Sequence, residues 1–226
     1  TRMVAMGQNN ALAVMAFATA GSLLHAPDMY MKKLVVNRLA KGAIDLHLPL
    51  VDNLRNVAQA LDKPLDKLRL VTLDKPRMRA TIDEATALGV KVFALPDGDV
   101  AASVMTCLRD NQYDVMYTLG GAPEGVISAC AVAALGGDMQ AELIDYCQAK
   151  GESEANRRLA AGEHLRCKTM GVEINRVYSL RELVASQDVI FSATGVTGGD
   201  LVSGIQQVTK GVRTQTLLIG GADRTC

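Results

Sequence analysis

Five short apolar runs, each followed by a polar or glycine-rich loop, constrain the fold of this chain more than any other feature. They are Leu70–Leu73, Val92–Leu95, Val115–Leu119, Val189–Ser192 and Thr216–Ile219. Runs of four to eight apolar residues bounded by such loops are typical of buried β-strands. Helical patterns lie between them, and this alternation predicts an α/β fold with a largely parallel sheet flanked by helices.

The helical segments have recognisable ends. Met78–Leu88 is followed by a glycine that stops a helix, and Val126–Leu135 is a largely apolar helical stretch closed by two glycines. Asp99 is expected to cap a helix over Val100–Arg109. These boundaries put the polar loops at one edge of the sheet, beyond the carboxyl ends of the strands, where open α/β sheets bind their ligands.

The first sixty residues have a different pattern. Asn10–Thr19 and Met31–Asn37 predict longer, antiparallel strands, and Ala43–Leu50 is a candidate for a third strand. Asp62–Asp66 is polar and contains a helix-stopping proline, which marks a lobe boundary. We therefore expect an α+β lobe over residues 1–62 and an α/β lobe carrying the strand-end loops over residues 63–226.

Composition limits the class of protein and its partners. Lys plus Arg equals Asp plus Glu at 24 each, which argues against a basic nucleic-acid surface. The longest apolar run, Ala11–Ala20, is too short to cross a bilayer, and no signal peptide precedes it. The five cysteines stand far apart without a CxxC pair. A reduced cytoplasmic protein, with neither a nucleic-acid nor a membrane partner, fits this usage.

The loop Gly120–Gly125 lies between a strand and a helix, where exposed backbone amides attract anions and glycines let a ligand approach. Glu124 would repel a bare phosphate there. A divalent cation removes the conflict, because Glu124 can bind the metal while the metal binds phosphate oxygens. The alternative, that Glu124 only favours the helix N-terminus electrostatically, is left open.

Three further groups of residues are candidates for binding. Lys75, Pro76 and Arg77 present two cations that could grip a phosphate, although an isolated triplet of this kind is more often a solvated turn. Asp97, Gly98 and Asp99 suit sugar hydroxyls or a metal, while a plain turn with Asp99 as helix cap is the alternative. Tyr30 could donate its phenol to a ligand, or simply be a half-buried strand residue.

Taken in order, these loops resemble the class II fructose-1,6-bisphosphatase family. The resemblance rests on Thr1–Gln8, Ala26–Tyr30, Lys75–Arg77, Pro96–Val100, Gly120–Gly125 and Phe191–Thr197, and it runs from the first residue to the last. It implies a layered sugar-phosphatase fold. It also implies hydrolysis of the 1-phosphate of fructose 1,6-bisphosphate, or of a related sugar bisphosphate, in gluconeogenesis, with Mn²⁺ or Mg²⁺ as cofactor. A homo-oligomer is implied as well.

The resemblance also implies roles for single residues. Glu124 would be a metal ligand and Gly121 would lie against the substrate. Lys75, Pro76, Arg77 and Tyr30 would line the phosphate and sugar site, and Asp97, Gly98 and Asp99 would face the sugar.

One departure from the family pattern concerns the start of the chain. Thr1 aligns with the last residue of the family's Asp-Pro-Ile-Glu-Gly-Thr motif, and its hydroxyl would bind substrate and orient the attacking water. The acidic residues of that motif do not precede it here. We therefore expect residues 1–62 to be the remainder of the first lobe, and this span to be inactive alone. Two alternatives remain: a nucleotide-binding α/β protein and a non-catalytic sugar-phosphate sensor.

Overall fold

All five short apolar runs form β-strands in the structure, a computed structural model that describes residues 2–110 and 112–220. The strands are β1 (Leu12–Ala18), β2 (Tyr30–Val36), β3 (Arg69–Leu73), β4 (Lys91–Leu95), β5 (Val115–Gly121), β6 (Asp138–Ile144), β7 (Val177–Ser179), β8 (Val189–Gly195), β9 (Gln206–Val208), β10 (Gly211–Arg213) and β11 (Thr216–Gly220). The helices are α1 (Arg2–Ala5), α2 (Leu50–Ala60), α3 (Arg79–Ala87), α4 (Asp99–Cys107), α5 (Ala122–Ala134), α6 (Tyr146–Lys150), α7 (Glu154–Met170) and α8 (Leu180–Leu183). Short 3-10 turns cover Arg38–Ala40, Leu65–Lys67 and Pro76–Met78.

The central sheet has six strands in the order β4-β3-β5-β2-β6-β7 and is mixed. β3 pairs in parallel with β4 and β5, whereas β2 is antiparallel to both β5 and β6. The expectation of a largely parallel sheet is therefore wrong. Leu34–Val36 are fully buried, as expected for an interior strand of a sheet. β2 is such a strand, because it lies between β5 and β6.

A second, three-stranded antiparallel sheet contains β1, β8 and β11 in the order β1-β8-β11. The prediction of longer antiparallel strands over Asn10–Thr19 and Met31–Asn37 is confirmed, because β1 is antiparallel to β8 and β2 is antiparallel to β5 and β6. The two strands belong to different sheets. Because β8 and β11 belong to the second sheet, the prediction that all five runs end at one edge of a single sheet is wrong. Residues 221–224 of the last loop lie outside the described residues.

The segment predicted as a third strand, Ala43–Leu50, is an irregular loop that leads into α2. Side chains rather than a strand ladder bind its backbone. The Asp45 N–H donates to Asn53 Oδ1 at 2.7 Å, and the Leu46 N–H donates to Gln140 Oε1 at 2.7 Å. Apolar composition alone cannot distinguish such a loop from a strand.

The elements stack in layers. α2 and α3 pack on one face of the six-stranded sheet through a cluster that includes Leu54, Val57 and Ala85. α4 and α5 lie between the two sheets, where Val104, Ala131 and Phe191 share another cluster. The helix predicted over 126–135 is confirmed within α5, whose small and apolar residues suit a helix covered on both sides.

The lobe boundary near residue 62 stays a prediction. β2 comes from the first predicted lobe and the other five strands of the central sheet come from the second. None of the helices within residues 2–110 and 112–220 has both the length and the apolar character needed to span a membrane.

Candidate active site

The carboxyl ends of β3, β4 and β5 and the starts of α4 and α5 enclose a cleft of about 600 Å³, hereafter the strand-end cleft. Seven predicted site residues line it: Tyr30, Arg77, Asp97, Gly98, Asp99, Gly121 and Glu124. Lys75 reaches this group through an ion pair with Asp97. Thr1, which was predicted to bind substrate and orient the attacking water, lies outside the described residues.

The segment from Lys75 to Arg77 follows β3, and of its three residues only Arg77 lines the cleft. Lys75 is extended, as expected for a residue before proline, and Pro76 begins a 3-10 turn. The Arg77 Nε–H donates to the Leu119 carbonyl at 2.8 Å, which fixes the guanidinium against the end of β5. The Arg77 guanidinium is therefore fixed in position by a hydrogen bond, and Arg77 is not part of a freely solvated turn.

Tyr30 stands at the start of β2 and is surrounded by aromatic and cationic groups. Its ring centroid lies 5.7 Å from that of Tyr146, 5.2 Å from the Arg77 guanidinium carbon and 5.7 Å from Lys150 Nζ. Cations at such distances from an aromatic face are attracted by its quadrupole. Tyr146 and Lys150 belong to α6 and were missed, because the run that forms β6 was not recognised as a strand.

The turn from β4 into α4 requires a glycine. Gly98 has φ +100 and ψ 44, a left-handed conformation that a side chain disfavours. The N-cap of α4 is Gly98, so the prediction that Asp99 caps this helix is wrong. Asp99 is instead the first residue of the helix, and its Oδ2 accepts a hydrogen bond from Lys33 Nζ at 2.5 Å.

The glycines of the Gly120–Gly125 loop make room for protein side chains. A Cβ added at Gly120 would lie 2.2 Å from Asp99 Oδ2, and one at Gly121 would lie 2.0 Å from Glu124 Oε2. The Glu124 carboxylate therefore folds back over Gly121 at the start of α5. These glycines therefore have a steric role toward the neighbouring carboxylates, while the interpretation that they also let a ligand approach the backbone stays a prediction.

Oxygen donors suited to a hard divalent cation are present, but they are few. Glu124 faces the cleft, and Asp97 Oδ2 is buried without a hydrogen-bond partner among the described residues. Within residues 2–110 and 112–220 no group of three or more His, Cys, Asp or Glu side chains is arranged to hold a metal ion. The described residues thus fit part of a metal-ligand set.

The opposite wall of the strand-end cleft is formed by α6 and α7. Glu163 is buried there and accepts a hydrogen bond from the Tyr146 N–H at 2.7 Å. Burial raises the pKa of Glu163, and the Tyr146 hydrogen bond opposes that shift only in part. Arg158 and Arg166 line the same wall, so the cleft carries cations on both sides.

Among residues 2–110 and 112–220, no histidine or cysteine lines the strand-end cleft. His164 Nε2 lies 3.1 Å from Asp145 Oδ2 on the outer surface, and His25 and His47 are not among the cleft-lining residues. Cys107, Cys130, Cys147 and Cys167 are free thiols. Cys226 lies outside the described residues.

Comparison with known proteins identifies relatives of this chain along its whole length. Residues 1–226 match the family described as "Bacterial fructose-1,6-bisphosphatase, glpX-encoded". The chain is 79% identical over 226 residues to "Fructose-1,6-bisphosphatase 2 class 2" of Escherichia coli (strain K12), covering 100% of this chain and 70% of that protein. It is 56% identical over 225 residues to "Fructose-1,6-bisphosphatase 1 class 2" of the same strain, covering 100% of this chain and 67% of that protein.

A more distant relative has a broader name. The chain is 37% identical over 231 residues to "D-fructose 1,6-bisphosphatase class 2/sedoheptulose 1,7-bisphosphatase" of Trichodesmium erythraeum (strain IMS101), covering 100% of this chain and 65% of that protein. These matches define the class of protein as a phosphoric monoester hydrolase. More narrowly, the chain belongs to the class II fructose-1,6-bisphosphatase family, which confirms the resemblance read from its ordered motifs.

Proposed function

We propose that this protein acts in gluconeogenesis by hydrolysing the 1-phosphate of fructose 1,6-bisphosphate in the strand-end cleft. Family membership supports the reaction type. The observation that carries the proposal is the convergence of Arg77, Asp97 and Glu124 on one cleft of about 600 Å³, with Lys75 paired to Asp97 at its edge. Cations that bind a phosphate and carboxylates that bind a metal or a sugar hydroxyl are the groups that this hydrolysis requires.

In the proposed arrangement each residue has a distinct task. Arg77 and Lys75 bind phosphate oxygens, with Pro76 setting the turn that carries them. Tyr30 packs against the sugar and its phosphate, and Gly121 lies beneath the substrate.

The carboxylates bind the sugar hydroxyls and the metal ion. Asp97 and Asp99 accept hydrogen bonds from sugar hydroxyls, and Gly98 provides the turn between them. Glu124 contributes one ligand to Mn²⁺ or Mg²⁺. When bound, such a cation lowers the pKa of water and neutralises charge on the phosphoryl oxygens. Thr1 orients the attacking water in this proposal.

The layered sugar-phosphatase fold, the two-lobe division at residue 62 and a homo-oligomeric assembly are part of the same proposal. So is the expectation that this span has little activity alone. The described residues provide Glu124 toward a metal site, and phosphate monoester hydrolysis is among the slowest uncatalysed reactions. The chain spans 70% of the Escherichia coli relative, and the rest of that relative is the natural source of further ligands for a test.

The decisive experiment compares this chain with a hybrid protein. The hybrid joins the chain to the part of the Escherichia coli relative that lies outside the match. Release of inorganic phosphate from fructose 1,6-bisphosphate is measured with Mn²⁺, with Mg²⁺ and with chelator. We expect turnover in the hybrid with either metal, and little turnover in the chain alone.

Glu124→Gln tests the metal-ligand assignment within the hybrid, and we expect it to nearly abolish turnover. Glu152→Gln is the matched control, because Glu152 forms an exposed ion pair with Arg157 and neither residue lines the strand-end cleft. Normal turnover in Glu124→Gln would refute the assignment. An inactive hybrid that is stabilised against heat by NAD or ATP, and not by the sugar bisphosphate, would overturn the phosphatase proposal in favour of nucleotide binding.

A further inference from the structure

Lys33 is a fully buried lysine in the middle of β2. Its ammonium group donates to Asp99 Oδ2 at 2.5 Å and to the Gly121 carbonyl at 2.9 Å. Asp99 and Gly121 both line the strand-end cleft, whereas Lys33 does not. A buried cation thus lies behind the cleft and is attached to two groups of its surface.

The apolar surroundings of Lys33 do not explain why a lysine occupies this position. Met31 and Val35, which flank it on the same face of β2, belong to a large apolar cluster. Taking an ammonium and a carboxylate out of water is expensive, and a buried ion pair is commonly no more stabilising than apolar residues of similar volume. The groups that Lys33 holds therefore explain it better than its contribution to the core does.

Two neighbouring glycines leave space for this ion pair. An added Cβ at Gly120 would lie 2.2 Å from Asp99 Oδ2 and 3.1 Å from Lys33 Nζ. An added Cβ at Gly125 would lie 3.3 Å from Lys33 Cδ and 2.4 Å from Met31 Sδ. Two glycines of one loop thus give the Lys33 side chain and its partner the room that they occupy.

We propose that Lys33 is a positioning residue, which acts on the substrate through Asp99. The inference rests on the proposed function of the cleft. The Gly121 carbonyl and the β2 backbone fix the ammonium, and the ammonium holds Asp99 Oδ2. The other oxygen of this carboxylate is then directed to a sugar hydroxyl. Phosphate binding is separate, because Arg77 and Lys75 reach the cleft from a different loop.

The test uses calorimetric titration of the chain itself with fructose 6-phosphate, the sugar product of the proposed reaction, and with inorganic phosphate. Wild type, Lys33→Met, Asp99→Asn and the Lys33→Met/Asp99→Asn double variant are compared. Lys32→Met is the matched control, because the Lys32 side chain lies on the opposite face of β2 and pairs with Glu142 at 2.5 Å.

We expect Lys33→Met to weaken fructose 6-phosphate binding about tenfold, the loss expected for one hydrogen bond to a charged group. Inorganic phosphate binding should change by less than about twofold. The double variant should bind both ligands as Asp99→Asn does, since Lys33 acts through Asp99. This comparison also decides the matter if Lys33→Met alone does not fold, because the double variant leaves no unpaired buried charge.

Three outcomes would overturn the inference while leaving the proposed function intact: unchanged fructose 6-phosphate binding in Lys33→Met, equal losses for both ligands, or a double variant that binds more weakly than Asp99→Asn. Equal losses would indicate a general structural role for Lys33. A wild-type chain that binds neither ligand would instead count against the proposed function and the inference together.

Discussion

Lys75 Nζ lies 2.9 Å from Asp97 Oδ1, so two residues expected to bind the substrate bind each other. Each side chain keeps about a fifth of its surface exposed, at 20% and 22%. The pair joins the end of β3 to the end of β4 and neutralises one of the cations beside the cleft. We therefore expect Arg77, oriented by the Leu119 carbonyl, to contribute more to phosphate binding than Lys75 does.

The first prediction concerns this pair. Asp97→Asn should release Lys75 toward an anion and tighten binding of inorganic phosphate by roughly twofold to fivefold, the range for a partly exposed ion pair. Isothermal titration calorimetry at low ionic strength measures the effect. Asp66→Asn is the control, because Asp66 forms an exposed pair with Lys67 at 3.9 Å. Weaker phosphate binding in Asp97→Asn would contradict the competition between Asp97 and phosphate.

The second prediction concerns Arg77. In the hybrid protein, Arg77→Ala should raise KM for fructose 1,6-bisphosphate about tenfold and change kcat little, because a contact that is equal in the ground and transition states affects binding alone. Steady-state kinetics separate the two constants. Arg79→Ala, which removes an exposed arginine of α3, should change neither. A large fall in kcat for Arg77→Ala would show that this guanidinium acts mainly in the transition state.

The third prediction concerns Gly120. Gly120→Ala should disturb the Lys33–Asp99 pair, because the new methyl group would lie 2.2 Å from Asp99 Oδ2. Neither the ion pair nor the β5 backbone can move away freely, so we expect a destabilisation of about 2 kcal/mol, within the range for overpacking. Chemical denaturation measures it. Gly198→Ala is the control for the substitution itself, because no atom lies within 4 Å of its added Cβ and its φ lies outside the left-handed region. A Gly120→Ala protein as stable as wild type would contradict the tight packing at this ion pair.

The fourth prediction concerns Asp114, which begins the approach to β5. Its carboxylate accepts hydrogen bonds from Arg69 Nε at 3.1 Å, from Arg69 Nη2 at 2.9 Å and from Lys63 Nζ at 2.7 Å. Burial acts to raise the pKa of Asp114, but these hydrogen bonds outweigh it and hold the pKa below its ordinary value of 3.8. Asp114→Asn should therefore lower the free energy of unfolding at pH 7 by about 2 kcal/mol.

The same residue gives a pH dependence of defined sign. A carboxyl whose pKa is depressed by folding stabilises the protein above its unfolded pKa, and this contribution is lost as pH falls through the folded value. Thermal unfolding should show the variant melting roughly 4–8 °C below wild type at pH 7. The difference should shrink below about pH 4. Asp52→Asn, at an exposed pair with Arg55, should show neither effect. A difference independent of pH would refute the pKa shift as its cause.

Local sequence determined the elements of the βα series. The apolar runs that became β3, β4 and β5 are bounded by glycine, proline and acidic residues, and their loops meet at the strand-end cleft because strands that run in one direction end at one edge. Glu124, Arg77 and Asp97 could therefore be chosen from the sequence as neighbours. Their roles stay predictions, and the ordered motifs identified the family before any geometry was known.

Tertiary structure determined which strands pair with each other and which side chains meet. β2 is separated from β5 by the whole of α2, β3, α3, β4 and α4, yet it lies beside β5 and brings Lys33 behind the cleft. No pattern along the chain shows which strand fills a gap in a sheet, because that choice depends on burial contributed by residues far apart in sequence. Whether a carboxylate such as Asp99 caps a helix or accepts from a buried lysine is decided in the same way, by the group that packing puts within reach of it.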